Sequence, residues 1–233
     1  MKSTGAFRQG ARALLGILAL SLGQYAAAAT HAKAGPWQYM IRGNSAPLLR
    51  GWARPGLPHG WHVRHGVLSK SGPVEDLEST GTYRDFDLEW QWKIGEASNS
   101  GIFYRATHAD SHIYLTGLEY QLVDDAHTQD GKSRMTAAGS VFAIYPCPAG
   151  IVHPYGHWNM SRIVVRGTHV EYWLNGRKTI SYVVGSPDWQ HRVAASVFAP
   201  HPHYGREPVG MIGIQGDHPG SVWIRDMRVR VLP

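Results

Sequence analysis

One cysteine in 233 residues, Cys147, excludes an internal disulfide. A chain of this length buries enough apolar surface to stand without one. The lack is still compatible with export, because an oxidising compartment permits disulfides without requiring them. Cys147 lies between Pro146 and Pro148, with no His or Asp at a spacing that would activate a thiolate, so it reads as structural. A long helical pattern is missing too, while 27 Gly, 14 Pro and 9 Trp favour many short strands joined by tight turns. Internal repeats and low-complexity blocks are absent. The one extended apolar run, Ala13–Leu22, is too short for a comfortable membrane span. No twin-arginine pair and no lipobox-type cysteine accompanies it.

Acidic residues are missing before Glu75, whereas Lys33, Arg42, Arg50, Arg54, Arg64 and Lys70 all precede it. Lys2, Arg8 and Arg12 stand ahead of the apolar run, and Ala26–Ala29 supplies small residues for cleavage. This is the pattern of a signal peptide over residues 1–29. A basic arm or linker is expected over 30–56 and one folded domain over 57–233, in a periplasmic or secreted protein. Three of the 23 basic residues and none of the 17 acidic ones leave with the signal, so the mature charge is +3. Without clustered Lys and Arg on one face, nucleic acid is excluded as a partner, and no stable membrane span is expected.

The stretch Tyr83–Asp125 organises what remains. Phe86, Leu88, Trp90, Trp92 and Ile94 alternate with Asp85, Asp87, Glu89, Gln91 and Lys93, which predicts a strand with one apolar face. After a turn at Gly95–Ser98, a second strand puts Asn99, Gly101, Phe103 and Arg105 on one face, opposite Ser100, Ile102 and Tyr104. A third aligns Glu119, Gln121 and Val123 against Leu118, Tyr120 and Leu122. Polar groups inside strands are costly to bury unless paired or functional, so a ligand is expected here.

Hairpins are predicted at His65-Gly66 and at Asn175-Gly176, with another turn at Arg166-Gly167. Residues 124–160 form a long irregular excursion containing a brief strand near Gly139–Ile144, and residues 186–194 begin like a capped helical turn. In the closing strand Trp223, Met227, Val229 and Val231 alternate against Arg228 and Arg230. Ten or more strands with hardly any helix indicate an all-β, two-sheet antiparallel jelly-roll sandwich.

Seven segments, in order, resemble the 3-keto-disaccharide hydrolase domain family: GWHVRHGVL (60–68), YRDFDLEWQWKI (83–94), NSGIFYR (99–105), GLEYQLVDDAH (117–127), GHWN (156–159), VEYWLNG (170–176) and GMIGIQGDHPGSVWIRDMRV (210–229). The resemblance covers roughly residues 57–232. It implies a concanavalin A-like jelly roll acting on an oxidised oligosaccharide or glycoside with a ketone at C3 of one sugar. A C3 carbonyl acidifies the C2 hydrogen; a base removes it, the enolate expels the C1 oxygen, and water adds to the enone. Such a site needs a base, a group that stabilises the enolate oxygen, and an acid for the leaving group. Two positions depart from the family pattern near the inferred site. His157 stands where an acidic residue usually precedes Trp-Asn, and Asp125 stands where Asn usually follows the Asp of E-x-Q-x-x-D.

Glu119, Gln121 and Asp124 form that E-x-Q-x-x-D motif. Jelly-roll β-glucanases use E-x-D-x-x-E, and the neutral Gln121 argues against their retaining mechanism. Glu119 is read as the base or acid, with Asp124 orienting it; the plain alternative is an exposed polar strand face. Arg105 is the anion-stabilising candidate, with a salt bridge to Glu119 as its alternative, and His127 is a candidate for proton transfer. Asn99, Gln121, His157, Trp158 and His218 are the substrate-binding candidates, Trp158 being equally readable as a core residue. His201-Pro-His203 is not a zinc signature, so no metal ligand set is assigned. The one cofactor left open is a divalent cation such as calcium, held by Asp124, Asp125 or Asp130 with backbone carbonyls. Two functions remain in view: cleavage of 3-keto-glycosides, and a non-catalytic carbohydrate-binding module of the same fold.

Overall fold

The computed structural model describes residues 33–233; the expected signal peptide lies outside the described residues. Among the described residues thirteen strands build two antiparallel sheets. The larger contains β1 (Gln38–Tyr39), β3 (His62–Arg64), β4 (Val67–Ser71), β6 (Phe86–Ile94), β9 (Asn159–Arg166), β10 (His169–Leu174), β11 (Arg177–Val183) and β13 (Ser221–Val231). Its order is β11-β10-β9-β6-β13-β4-β3, with β1 also paired to β13. The smaller contains β2 (Leu49–Gly51), β5 (Leu77–Ser79), β7 (Asn99–Ala106), β8 (Leu118–Val123) and β12 (Met211–Ile214), in the order β2-β5-β12-β7-β8. This is a concanavalin A-like jelly-roll sandwich. No helix among the described residues is long and apolar enough to cross a membrane.

The alternation in β6 is realised as the sequence predicts: Phe86, Leu88, Trp90, Trp92 and Ile94 are buried. They meet Ile102 and Tyr104 of β7, Leu118, Tyr120 and Leu122 of β8, and Ile212 and Ile214 of β12 in one apolar core. Trp90 lies edge-on to Tyr120 with ring centroids 5.0 Å apart. Polar atoms of Trp92, Ser161 and Tyr120 inside the core are paired with one another. Trp92 Nε1 donates to Ser161 Oγ at 2.8 Å, and Ser161 Oγ to the Tyr120 hydroxyl at 2.9 Å.

The charged face of β6 has a structural explanation. β6 sits in the larger sheet, away from β7 and β8, and its acids pair with arginines of the neighbouring β9 and β13. Asp87, 1% exposed, accepts from Arg162 Nε at 2.6 Å and Arg230 Nη2 at 2.6 Å. Glu89 accepts from Arg228 Nη2 at 2.7 Å, and Gln91 from Arg225 Nε at 3.0 Å. The ligand signal therefore belongs to β7 and β8.

Both expected two-residue turns form, with φ of 50° and 78° at His65-Gly66 and 48° and 79° at Asn175-Gly176. Residues 186–194 go further than one turn. Ser186 caps the Trp189 N–H at 3.2 Å and starts the helix α1 (Pro187–Ala194). Three expectations are corrected. The supposed arm or linker is built in: β1 and β2 join the two sheets, and Met40 and Ile41 are in the core. Gly139–Ile144 makes isolated bridges through Val141 in place of a strand. In β13 a bulge at Asp226 (φ 52°) reverses the alternation, so Trp223 faces outward while Val222, Ile224, Met227 and Val229 face the core.

Candidate active site

The outer face of the smaller sheet carries the polar residues of β7, β8 and β12. In the register of β7 and β8, Gly101 opposes Gln121 and Phe103 opposes Glu119. Gln215, just past β12, donates its backbone N–H to Gly101 O. Glu119, Gln121 and Gln215 are 5%, 1% and 4% exposed, because the face is roofed by loops. Phe142 and Asp130 descend from the 124–145 excursion, Val197, Phe198 and His201 from the segment after α1, and Asp217 and His218 from the β12–β13 loop. Together with Asn99 and Tyr114 these groups enclose a cavity of about 390 Å³, a size suited to a sugar.

Gly101 makes the floor possible. A Cβ there would stand 2.8 Å from Glu119 Cδ and 2.9 Å from Cγ, and nearer still to Oε1, so the glutamate side chain lies across the space a larger residue would fill. Amide oxygens surround it. Asn99, which lines the cavity, is fixed by its Nδ2 donating to Asp130 Oδ2 at 2.9 Å. Asn99 Oδ1, Gln121 Oε1 and Gln215 Oε1 are all buried without a partner among the described residues. Unsatisfied buried acceptors are costly in a native fold; three around one cavity are what a ligand bearing hydroxyl donors would satisfy.

Charge is concentrated here. Burial pushes the Glu119 carboxyl well above its ordinary value, and the charges of Asp76, Asp130 and Asp217 push the same way. Asp76 is raised to about 6, first by burial, against bonds from the Gly216 and Asp217 N–H groups at 2.6 and 3.3 Å. The buried Lys70 ammonium is lowered to about 8 by burial, opposed by Asp217 and Asp76. Its Nζ donates to His218 O at 2.6 Å. Lys70 and Asp76 therefore pin the loop that brings Asp217 and His218 to the cavity.

Of the nine residues singled out from sequence, Asn99, Glu119, Gln121 and His218 line the cavity; five are placed elsewhere. Arg105 leaves because β7 bulges: Tyr104 and Arg105 together oppose Ile212, Arg105 takes φ 57°, and Nη2 donates to Gly167 O. It makes no salt bridge to Glu119. Asp124 points to the other side of β8 and ties the β6–β7 turn, accepting from Ala97 N at 2.9 Å and His127 Nδ1 at 2.8 Å. Burial works against that carboxylate, but these bonds keep its pKa below the ordinary value. His127 packs on Tyr155 with centroids 5.2 Å apart. His157 is exposed, its Nδ1 3.2 Å from Tyr155 O. Trp158 lies under the Arg225 guanidinium, 4.0 Å from the ring centroid, against the outer face of the larger sheet.

Neither family departure reaches the cavity: besides His157, Asp125 is occupied by Ala138 N at 2.8 Å and Arg134 Nη1 at 3.4 Å. These bonds also bear on the calcium expectation. Asp124, Asp125 and Asp130 all accept N–H donors, and among the described residues no three His, Cys, Asp or Glu side chains gather as a metal site. The residues that sequence reasoning missed, among them Tyr114, Phe142, Phe198, His201, Gln215 and Asp217, mostly come from loops without a local pattern.

Comparison with known proteins agrees with this architecture. The chain is 27% identical over 215 residues to a 3-keto-disaccharide hydrolase of Bacteroides thetaiotaomicron, covering 78% of this chain and 74% of that one. It superposes with a TM-score of 0.78 and 30% identity on the crystal structure of a candidate glycosyl hydrolase from Parabacteroides distasonis, covering 85% of this chain and 94% of that one. A Bacillus subtilis protein of unknown function with a galectin-like fold, at 13% identity and a TM-score of 0.53 over 87% of this chain and 99% of its own, shares the fold. Residues 32–230 match the model of the 3-keto-α-glucoside-1,2-lyase-like domain, and with most of its length so matched the chain belongs to that family.

Proposed function

We propose that this protein is an exported, periplasmic or secreted enzyme that cleaves the glycosidic bond of 3-keto-glycosides by elimination and hydration, with Glu119 as the base. The observation that carries this reading is the Glu119 carboxyl, buried on the cavity floor with its pKa well above the ordinary value. A carboxylate with a raised pKa is a stronger base, better matched to a C–H made acidic by a neighbouring ketone. Glu119 takes the C2 proton, and the C–H electrons form the C2–C3 enolate with negative charge on the C3 oxygen. The enolate collapses to the C1–C2 double bond as the C1–O bond breaks, and the leaving alcohol takes a proton. Water then adds its hydroxyl at C1 and a proton at C2.

With Arg105 elsewhere, the cavity imidazoles of His201 and His218 take the roles of stabilising the enolate oxygen and protonating the leaving group. Asn99, Gln121 and Gln215 accept from sugar hydroxyls. The same three orphaned oxygens also favour a second reading, a carbohydrate-binding module that holds the sugar without turnover. Incubation with 3-keto-trehalose or 3-keto-lactose separates the two. The enzyme releases free sugar and E119Q retains affinity without release. A wild-type protein that binds but releases nothing is a binding module, and release by E119Q removes Glu119 from the base role.

A further inference from the structure

A second cavity, of about 410 Å³, lies where β7 ends against the β9–β10 turn and α1. Arg84, Arg105 and Arg206 all line it. Arg84 and Arg206 are exposed and form no ion pair among the described residues. Arg105 is 3% exposed and has no carboxylate partner either, its one side-chain bond being to Gly167 O. The single carboxylate in the lining, Asp85, accepts the Gly167 N–H and forms no ion pair with the three arginines. The cavity is thus positively charged on balance.

Two of its lining residues each carry a donor with no acceptor among the described residues. Arg105 Nε and Trp189 Nε1 are buried and unpartnered, and Trp189 is also only 3% exposed. Buried N–H groups are rarely left so. The aim of Arg105 is built into the backbone. The bulge in β7 turns it out of the sheet face at φ 57°, a conformation a long side chain seldom adopts, and such strained positions cluster at ligand clamps. Close approach of Gly210, whose Cβ would meet Arg105 Cα at 2.6 Å, makes room for the bulge.

We propose that this cavity is a binding site for a small oxyanion, the carboxylate or sulfate of a sugar-sized molecule, held by Arg105 and Trp189 within and by Arg84 and Arg206 at the rim. A fixed guanidinium fork matches planar or tetrahedral oxyanions, and the indole N–H adds a further donor. The site goes beyond the Glu119 reading and does not depend on it.

Titration calorimetry of the purified protein with glucuronate, glucose 6-sulfate and glucose tests the proposal. At least one charged sugar should bind roughly tenfold or more tighter than glucose, and added salt should weaken it. Which charged sugar binds decides between carboxylate and sulfate. The double variant R84A/R206A alters only exposed side chains and should lose roughly tenfold in that affinity, and R105K, which keeps the charge but not Nε–H, should also lose affinity. Equal binding of glucose, no binding of either charged sugar at millimolar concentration, or an affinity unchanged in R84A/R206A would overturn it.

Discussion

Replacing Gly101 by alanine should disable the candidate site while leaving the fold in place. The new Cβ would stand 2.8 Å from Glu119 Cδ and 2.9 Å from Cγ, where ordinary contact begins at 3.4 Å. Glu119 must therefore withdraw by at least half an ångström along its whole side chain, in a place where only 5% of it is exposed. Overpacking of this kind costs about 1–3 kcal/mol. A displacement of about 1 Å in a reacting group costs on the order of a hundredfold in rate, so kcat on a 3-keto-disaccharide should fall ten- to hundredfold. Gly81, which has open space around it and no positive φ, supplies the matched control: G81A should leave kcat unchanged. Circular dichroism and a thermal melt establish that both variants fold. A folded G101A with wild-type kcat would refute the reasoning, because Glu119 would then be either movable at no cost or uninvolved.

Glu119 also predicts the pH dependence of stability. An acid whose folded pKa is raised favours the fold while protonated; that contribution is complete below its unfolded value near 4.5 and is lost as pH rises through the higher folded value. The difference in Tm between E119Q and wild type should therefore grow in favour of E119Q from pH 4 to pH 8, and a constant difference would contradict the buried placement. Asp87 has the opposite sign. Burial opposes its charge, but Arg162 and Arg230 hold its pKa below 3.8, so its contribution is present above that value and disappears in more acidic solution. D87A strands two half-buried guanidiniums and should cost about 2–3 kcal/mol in urea unfolding at pH 7, less at pH 3. Trp158 packs on Arg225 away from the cavity, so W158A should leave KM and kcat within about twofold; a loss of sugar affinity would return it to the site.

The strands of this fold were legible because their signals are local. β6 alternates without interruption, and His65-Gly66 and Asn175-Gly176 supply the φ > 0 residues that hairpin turns demand. The floor of the cavity was legible for the same reason: β7 and β8 place Asn99, Glu119 and Gln121 on one face by simple period two. Bulges broke the reading. One extra residue in β7 sends Arg105 to another cavity, and one in β13 turns Trp223 outward. Neither shift has a glycine to announce it, since Arg105 and Asp226 themselves take the left-handed conformation. The roof was hidden because Phe198, His201 and Asp217 arrive on loops whose position is set by distant partners such as Lys70. The charges of β6 misled in the other direction, since their arginine partners on β9 and β13 lie more than seventy residues away in sequence.

Exchange at C2 tests the central chemistry most directly. Wild-type protein and E119Q are incubated in D2O with a 3-keto-disaccharide, beside an enzyme-free sample, and the released 3-keto sugar is followed by NMR. Removal of the C2 proton by Glu119 predicts deuterium at C2 of that product with wild type, and neither release nor exchange above background with E119Q. Free sugar appearing with its C2 hydrogen intact would contradict the account, because the glycosidic bond would then break without the enolate that Glu119 is placed to form.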